Sequence, residues 1–129
     1  MNVLKAAIVG LSLVTGNTLV RADVITDWNR TAMDVMKAVN VAGNPWTRSM
    51  ALVNVSMSDA VNSVQNRYSR YMTTEVPIDP NASAEAAAAA AAREILMRQY
   101  PGQKAQIDAV FADTMQTIPD SPHGLRVLL

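Results

Sequence analysis

Along most of this chain the apolar residues recur at steps of three and four, which is the spacing of one face of an α-helix. The pattern predicts an all-α protein with four helices, separated by segments that carry proline and glycine. The predicted helices cover residues 25–42, 45–64, 84–99 and 103–117, and the longest connection runs over residues 67–83.

The first helix is predicted from an apolar stripe and from the residues at its two ends. Its start can be capped by Asp23, Thr26 or Asp27, whose side chains accept hydrogen bonds from unpaired backbone N–H groups. The Gly-Asn-Pro segment at residues 43–45 is expected to end it. The stripe consists of Trp28, Ala32, Val35, Met36, Val39 and Ala42.

The second helix has apolar residues on two sides. Asn44 is its predicted N-cap, and Pro45 occupies the first turn, where a missing N–H costs nothing. Leu52 and Val55 point almost opposite to the main stripe, and a helix apolar on two faces is normally buried between neighbours. We therefore expect this helix to be central. Its main stripe consists of Trp46, Met50, Val53, Met57, Ala60, Val61 and Val64.

The third helix is predicted from an unbroken run of seven alanines at residues 86–92, capped by Ser83. Alanine has the highest helix propensity, so the run indicates a helix and not a flexible linker. Its flat surface lets neighbouring helices approach closely, and it offers no group for chemistry. The fourth helix is expected to end before Pro119.

Two arginines alternate with two tyrosines after the second helix, as Arg67-Tyr68 and Arg70-Tyr71. Such a mixture can bind anions or nucleic acid. The alternative is a helix end whose arginines face its carbonyl groups and whose tyrosines cover the edge of the core. We favour this second interpretation, because two arginines in a neutral protein make a weak patch.

The first 22 residues have the pattern of a secretion signal. A short basic segment precedes an apolar stretch at residues 6–16, which is too short for the ~20 residues that a membrane span needs. Val20 and Ala22 then offer small residues at the positions read by a signal peptidase. We predict cleavage after Ala22, with Asp23 as the first residue of an exported, periplasmic or extracellular protein that has no stable membrane span.

Composition excludes several kinds of function. The chain has no cysteine, which excludes disulfides, thiolate catalysis and cysteine-bound metals. Its formal net charge is zero, so no nucleic-acid partner is expected. A single histidine, His123, leaves little room for a histidine-based metal site or catalytic triad.

Paired carboxylates would be the minimum for general acid–base chemistry. Asp108 and Asp113 lie five residues apart and do not share a helix face well, so solvated surface charges are the better interpretation. Asp23 and Asp27 lie four apart, but their positions are those of capping residues. Neither pair is predicted to be catalytic.

A short polar stripe interrupts the second helix at Ser56, Asp59 and Asn62. These side chains suit a buried hydrogen-bond network, and a metal site there would need more oxygen ligands than the stripe provides. The eight methionines could bind a soft metal, but most fall on apolar stripes and are interpreted as core residues. The eight include Met33, Met36, Met50, Met57 and Met115. No catalytic, cofactor-binding or metal-binding residue is therefore predicted.

The order of these segments resembles the N-terminal helical region of secreted bacterial proteins of the vanadium-dependent haloperoxidase type, which share a superfamily with type-2 phosphatidic acid phosphatases. The resemblance spans residues 23–122. Its segments are DVITDW from Asp23, SMALVNVSMSDAVNSVQNRYSRY from Ser49, and the alanine-rich stretch from Ser83 to Asp120. The most specific part is MSDAVN at residues 57–62, followed by Arg67-Tyr68.

The resemblance implies a helical bundle that binds phosphate or vanadate. In that family the ligands are a lysine, arginines, a Ser-Gly-His segment and a further histidine, all in the C-terminal half of the protein. None of these motifs falls on a residue of this chain, and His123 matches none of them. The resemblance therefore implies no cofactor in this chain, because vanadate or phosphate would bind the missing half.

These observations give three predicted regions: a signal peptide at residues 1–22, a haloperoxidase-like helical region at 23–122 and a divergent tail at 123–129. We expect a truncated N-terminal scaffold without catalytic activity of its own, although the family is enzymatic. Its expected partner is the missing C-terminal half or a second copy, through helix contacts. The alternative is a free-standing exported helical protein that binds a protein partner.

Overall fold

A computed structural model describes residues 24–71 and 83–118. The described part is all-α, as predicted. Its helices are α1 (Val24–Ala38), α2 (Asn44–Gln65), α3 (Ala84–Gln99) and α4 (Lys104–Thr117), with a short 3-10 turn at Pro101–Gln103 before α4. The predicted signal peptide, Asp23, Pro119, His123 and the rest of the divergent tail lie outside the described residues.

The first helix ends four residues earlier than predicted, at Ala38. Asn40 adopts a left-handed conformation with φ 55°. The N–H of Asn40 donates to the Lys37 carbonyl at 3.1 Å, and the N–H of Val41 donates to the Met36 carbonyl at 2.9 Å. These two bonds form a Schellman motif, which ends the helix before the predicted Gly-Asn-Pro segment is reached. Thr26 and Asp27 lie within α1, so neither is its cap.

The start of α2 corrects the predicted N-cap. Gly43, and not Asn44, is the capping residue, with φ 66° and ψ −141°. Its carbonyl accepts from the N–H groups of Trp46 and Thr47 at 3.1 and 3.3 Å. Glycine adopts a positive φ without the steric cost of a side chain, so the chain turns at Gly43 and Asn44 is already helical.

The ends of α3 follow the prediction. The Ser83 side chain accepts a hydrogen bond from the Ala86 N–H at 3.1 Å, which confirms Ser83 as the N-cap. Tyr100 is the C-cap, and its N–H donates to the Leu96 carbonyl at 2.8 Å. A serine cap is typically worth about 1 kcal/mol to a helix.

The alanine-rich helix α3 is the centre of the described bundle, which corrects the prediction for α2. Helix α3 packs against α1, α2 and α4, and its most extensive contact is with α2. Leu52 and Val55 of α2 are half-buried and lie outside the core cluster. The core consists of Trp28, Ala32, Val35, Met36, Val53, Met57, Ala88, Ala89, Ala92, Leu96 and Ile107.

An aromatic contact links α4 to the rest of the core. The rings of Trp28 and Phe111 lie 6.4 Å apart between centroids, at an angle of 60°. The Arg93 guanidinium lies over the Phe111 ring, 5.1 Å from its centroid. Three helices therefore meet at Phe111, since Trp28 lies on α1 and Arg93 on α3.

Within residues 24–71 and 83–118, none of the helices has both the length and the apolar character that crossing a membrane requires.

Candidate functional site

Most of the buried polar side chains lie on α2. Among the described residues, Asp59 is the one ionisable residue that is buried, with 8% of its surface exposed. Asn62, one turn further along, is 6% exposed. Burial of a carboxylate is costly unless it is hydrogen-bonded, so this end of α2 is where a functional group would be sought.

Asn62 organises the end of α2. Its Oδ1 accepts from the backbone N–H groups of Arg67 and Tyr68, both at 2.9 Å. Its Nδ2 donates to the Tyr68 carbonyl. Its own carbonyl accepts from the Asn66 N–H at 2.7 Å, where Asn66 is the left-handed C-cap with φ 50°. The Asn62 side chain therefore binds the backbone that follows the C-cap at two successive residues, Arg67 and Tyr68.

Asp59, one turn before Asn62 on α2, binds the same segment further along the chain, at Tyr71. Its Oδ1 accepts from the Tyr71 N–H at 2.7 Å. A hydrogen bond from a backbone N–H to a carboxylate is stronger than one between neutral groups. Asp59 and Asn62 together therefore fix the backbone of residues 67–71, which contain no helix or strand.

The predicted polar stripe is confirmed as a buried hydrogen-bond network for two of its three residues. Asp59 Oδ1 and both polar atoms of the Asn62 side chain bind backbone groups of the following segment. Ser56 is also buried, but its Oγ has no hydrogen-bond partner. The stripe thus acts on the local backbone, which is a structural role.

The tyrosines of this segment contradict the favoured prediction. They were expected to cover the edge of the core, yet Tyr68 is 77% exposed and Tyr71 is 86% exposed. The Arg67 side chain is also exposed, and Arg70 is half-buried. The reason is the clamp on the backbone: the bonds to Asp59 and Asn62 fix the main chain and leave both rings in solvent.

Two polar contacts between helices were not predicted from the sequence. Asn29 of α1 and Asn54 of α2 form a reciprocal amide pair, with N···O distances of 3.1 and 2.8 Å. The hydroxyl groups of Ser49 and Tyr100 lie 2.6 Å apart and join the start of α2 to the end of α3. No spacing rule links residues that are this far apart in the sequence, so only the fold shows these pairs.

Asp108 corrects the prediction of a solvated surface charge. Its side chain is one-third exposed and pairs with Arg93 of α3, whose Nη2 lies 2.7 Å from Oδ1. Lys104, one turn earlier on α4, binds its other oxygen. The hydrogen bonds from Lys104 and Arg93 hold the pKa of the Asp108 carboxyl below its usual range. Asp108 therefore joins α4 to α3, whereas Asp113 is exposed.

The methionines behave as the sequence predicts. Met36 and Met57 are fully buried, and Met50 and Met115 pack against the core, while Met33 is half-buried outside it. In the described part of the chain, no three His, Asp or Glu side chains are grouped so that they could hold a metal ion. Met36, Met50, Met57 and Met115 therefore serve the core, as predicted, and Met33 does not.

The buried polar groups at this end of α2 fix the backbone that follows it. The Oδ1 atoms of Asp59 and Asn62 both accept from N–H groups of the main chain. Compared with protein-family models, with curated proteins and with solved structures, the chain matches none of them.

Proposed function

We propose that this chain is a helical scaffold, the N-terminal part of an exported protein of the vanadium haloperoxidase or acid phosphatase type, without catalytic activity of its own. The observation that carries the proposal is that buried polar side chains on α2 bind the backbone of the segment that follows the helix. Asp59, the buried acid among the described residues, accepts a hydrogen bond from the Tyr71 N–H, and Asn62 accepts from the N–H groups of Arg67 and Tyr68. Buried side chains that bind the backbone in this way support a frame.

The packing of the helices supports the same role. Ala88, Ala89 and Ala92 on α3 are at most 1% exposed, so α3 meets its neighbours with methyl groups. Close packing of this kind gives a rigid frame, since protein interiors resemble organic crystals in density. The resemblance of residues 57–62 and 67–68 to haloperoxidase-type proteins supports the proposal that the chain belongs to that family. The oxyanion ligands of the family lie C-terminal to the matching region.

Enzyme assays test the proposal. The full chain is expressed with its own N-terminus in a bacterial host, purified and incubated with vanadate, peroxide and bromide. We expect no bromide oxidation above that of the buffer. Turnover that co-purifies with the chain and requires vanadate would contradict the scaffold role.

The family part of the proposal has a separate test. The genomic DNA downstream of the codon for Leu129 is expected to encode Arg-Pro and Ser-Gly-His segments, in the same or a shifted frame. Unrelated DNA in all frames would contradict descent from a haloperoxidase-type protein.

Export is tested by the mass of the purified chain. We expect it to begin at Asp23, because a signal peptidase needs a small residue at Ala22. Ala22→Tyr is expected to leave the precursor uncut. An unprocessed wild-type chain would contradict the signal peptide.

A second function is a free-standing exported protein that binds a protein partner. The closed core of four helices favours it, because Trp28, Met36, Met57 and Leu96 are fully buried by described residues of the same chain. A cooperative unfolding transition with a monomer in solution, together with unrelated downstream DNA, would favour this function over the scaffold.

A further inference from the structure

The segment Arg67–Tyr71 combines a fixed backbone with exposed side chains. Its N–H groups at Arg67, Tyr68 and Tyr71 bind the side chains of Asn62 and Asp59. Tyr68 and Tyr71 are the two most exposed of the large hydrophobic residues in the described ranges. Packing in the core does not explain why two tyrosines on a fixed backbone are so largely exposed.

The chemistry of this segment suits a carboxylate. A guanidinium donates two parallel N–H bonds to a carboxylate, and a tyrosine adds a hydroxyl donor and an apolar face. The Arg67 side chain is exposed and makes no ion pair with the described residues. Arginine and tyrosine are the residues most enriched at the energetic centres of protein interfaces.

The fixed backbone lowers the cost of binding. A flexible segment loses conformational entropy when it binds, whereas one already held in place does not pay that cost again. Four hydrogen bonds from two buried side chains hold residues 67–71. The segment is thus ordered before a partner arrives.

The charge of the chain argues for a protein over other macromolecules. Nucleic-acid binders carry a basic face, and segments that bind anionic membranes carry clusters of about 4–8 lysines or arginines. This chain has a formal net charge of zero, and the segment contributes two arginines. The exposed Arg67 beside two exposed tyrosines fits a local acidic site on a protein.

We infer that Arg67–Tyr71 is a pre-formed docking segment for an acidic peptide segment of a protein partner, with Arg67 binding a carboxylate and Tyr68 and Tyr71 packing beside it. This segment could bind such a partner whether the chain is a scaffold or a free-standing protein. Its failure would therefore leave the scaffold role intact.

Fluorescence anisotropy tests the inference on the full chain. The probe is a labelled peptide of alternating glutamate and leucine, and the control probe has glutamine in place of each glutamate. We expect binding of the glutamate peptide, and at least about tenfold weaker binding of the glutamine peptide, a difference of about 1.4 kcal/mol.

Matched variants locate the site. Arg67→Gln, Tyr68→Ala and Tyr71→Ala are each expected to weaken binding of the glutamate peptide about tenfold, a loss of about 1.4 kcal/mol. Arg48→Gln is the control, since Arg48 is also exposed but lies near the other end of α2, roughly 20 Å along the helix axis from Asn62, which binds the segment. Arg48→Gln is expected to bind as the wild type does.

Three results would overturn the inference. One is no binding of the glutamate peptide by a chain whose circular dichroism shows folded helices. Another is an equal loss of affinity in Arg48→Gln, which would indicate diffuse electrostatics. The third is stronger binding to single-stranded DNA or to phosphatidylserine vesicles than to the peptide. The substituted side chains are exposed, so all four variants are expected to keep the wild-type unfolding midpoint.

Discussion

At the scale of single residues, Asn62 fixes how the chain leaves α2. Helices leave their last carbonyl groups and the following N–H groups without helical partners. Asn62 supplies both an acceptor and a donor to that region, so Arg67 and Tyr68 are bonded although they lie outside any helix. Asp59 extends the same arrangement to Tyr71.

Hydrogen exchange measured by NMR gives a direct check of this clamp. The backbone N–H groups of Tyr68 and Tyr71 are expected to exchange more slowly than that of Ser69, because both donate to buried side-chain oxygens. Ser69 is the internal control, since it lies between them in the same exposed segment. Equal exchange at the three positions would show that the clamp does not form in solution.

Asn62→Ala is expected to lower the free energy of unfolding by about 2 kcal/mol, because it removes a buried group and three hydrogen bonds. Gln65→Ala is the matched control on the same helix, where the side chain is exposed and the change should stay within about 0.5 kcal/mol. Urea unfolding followed by circular dichroism measures both. A similar cost for the two variants would contradict the role given to Asn62.

At the scale of helices, α3 is central because it is small in cross-section. Ala88, Ala89 and Ala92 allow three other helices to approach it, and apart from Leu96 the larger apolar side chains of the core come from those neighbours. Helix α4 is held by Ile107 in the core and by the pairing of Asp108 with Arg93.

Ala89→Leu is expected to destabilise the protein by about 2–3 kcal/mol or to prevent folding, because a fully buried methyl group has no room to grow. Ala91→Leu, on the half-buried side of the same helix, is expected to cost much less. Thermal unfolding of both variants gives the comparison. Tolerance of leucine at Ala89 equal to that at Ala91 would contradict the central position of α3.

The pairing of Asp108 makes the contact between α3 and α4 sensitive to acid. Its pKa is lowered in the folded state, chiefly by Lys104 and then by Arg93, so its stabilising contribution is complete above the unfolded-state pKa. The contribution is lost as the pH falls below about 4 and through the lowered value.

Unfolding midpoints measured between about pH 5 and about pH 3 test this coupling. The wild type is expected to lose more stability over that range than Asp108→Asn, which has no carboxylate to protonate. Asp113→Asn removes an exposed acid from the same helix and should keep the wild-type dependence. Parallel curves for the wild type and Asp108→Asn would exclude the ion pair as a stabilising contact.

The helices could be predicted from the sequence where they depend on neighbouring residues, as capping and helix propensity do. The arrangement of the helices could not be predicted. Ser83 followed by the alanine run predicted α3 and its cap, because capping and propensity depend on neighbouring residues. The end of α1 was missed, since Asn40 turns left-handed and no single residue type demands that. The central place of α3 was also missed, because a run of alanines has no apolar stripe that would indicate burial.

At the scale of the whole molecule, the sequence predicted which residues form the candidate site, but not the groups to which they hydrogen-bond. The spacing of Asp59 and Asn62 on one helix face indicated a buried network. Asp59 Oδ1 and the Asn62 side chain bind N–H and carbonyl groups of an irregular segment, and these carry no sequence signal. The exposure of Tyr68 and Tyr71 follows from that geometry, which is why the sequence favoured the opposite placement.

The described part of the molecule is a bundle of four helices whose buried acid accepts a backbone N–H of the same chain, and we propose that it serves as a scaffold. This account predicts that Asp59 has no part in chemistry. If Asp59 instead served as a general base, its replacement by the isosteric asparagine would abolish a reaction while the hydrogen bond to Tyr71 was kept.

Hydrolysis of p-nitrophenyl phosphate by the full chain, compared with Asp59→Asn, is the most direct test of the scaffold role. The account predicts that neither protein releases p-nitrophenol faster than the buffer. Hydrolysis by the wild type that Asp59→Asn abolishes, with the helices of both proteins intact by circular dichroism, would contradict it.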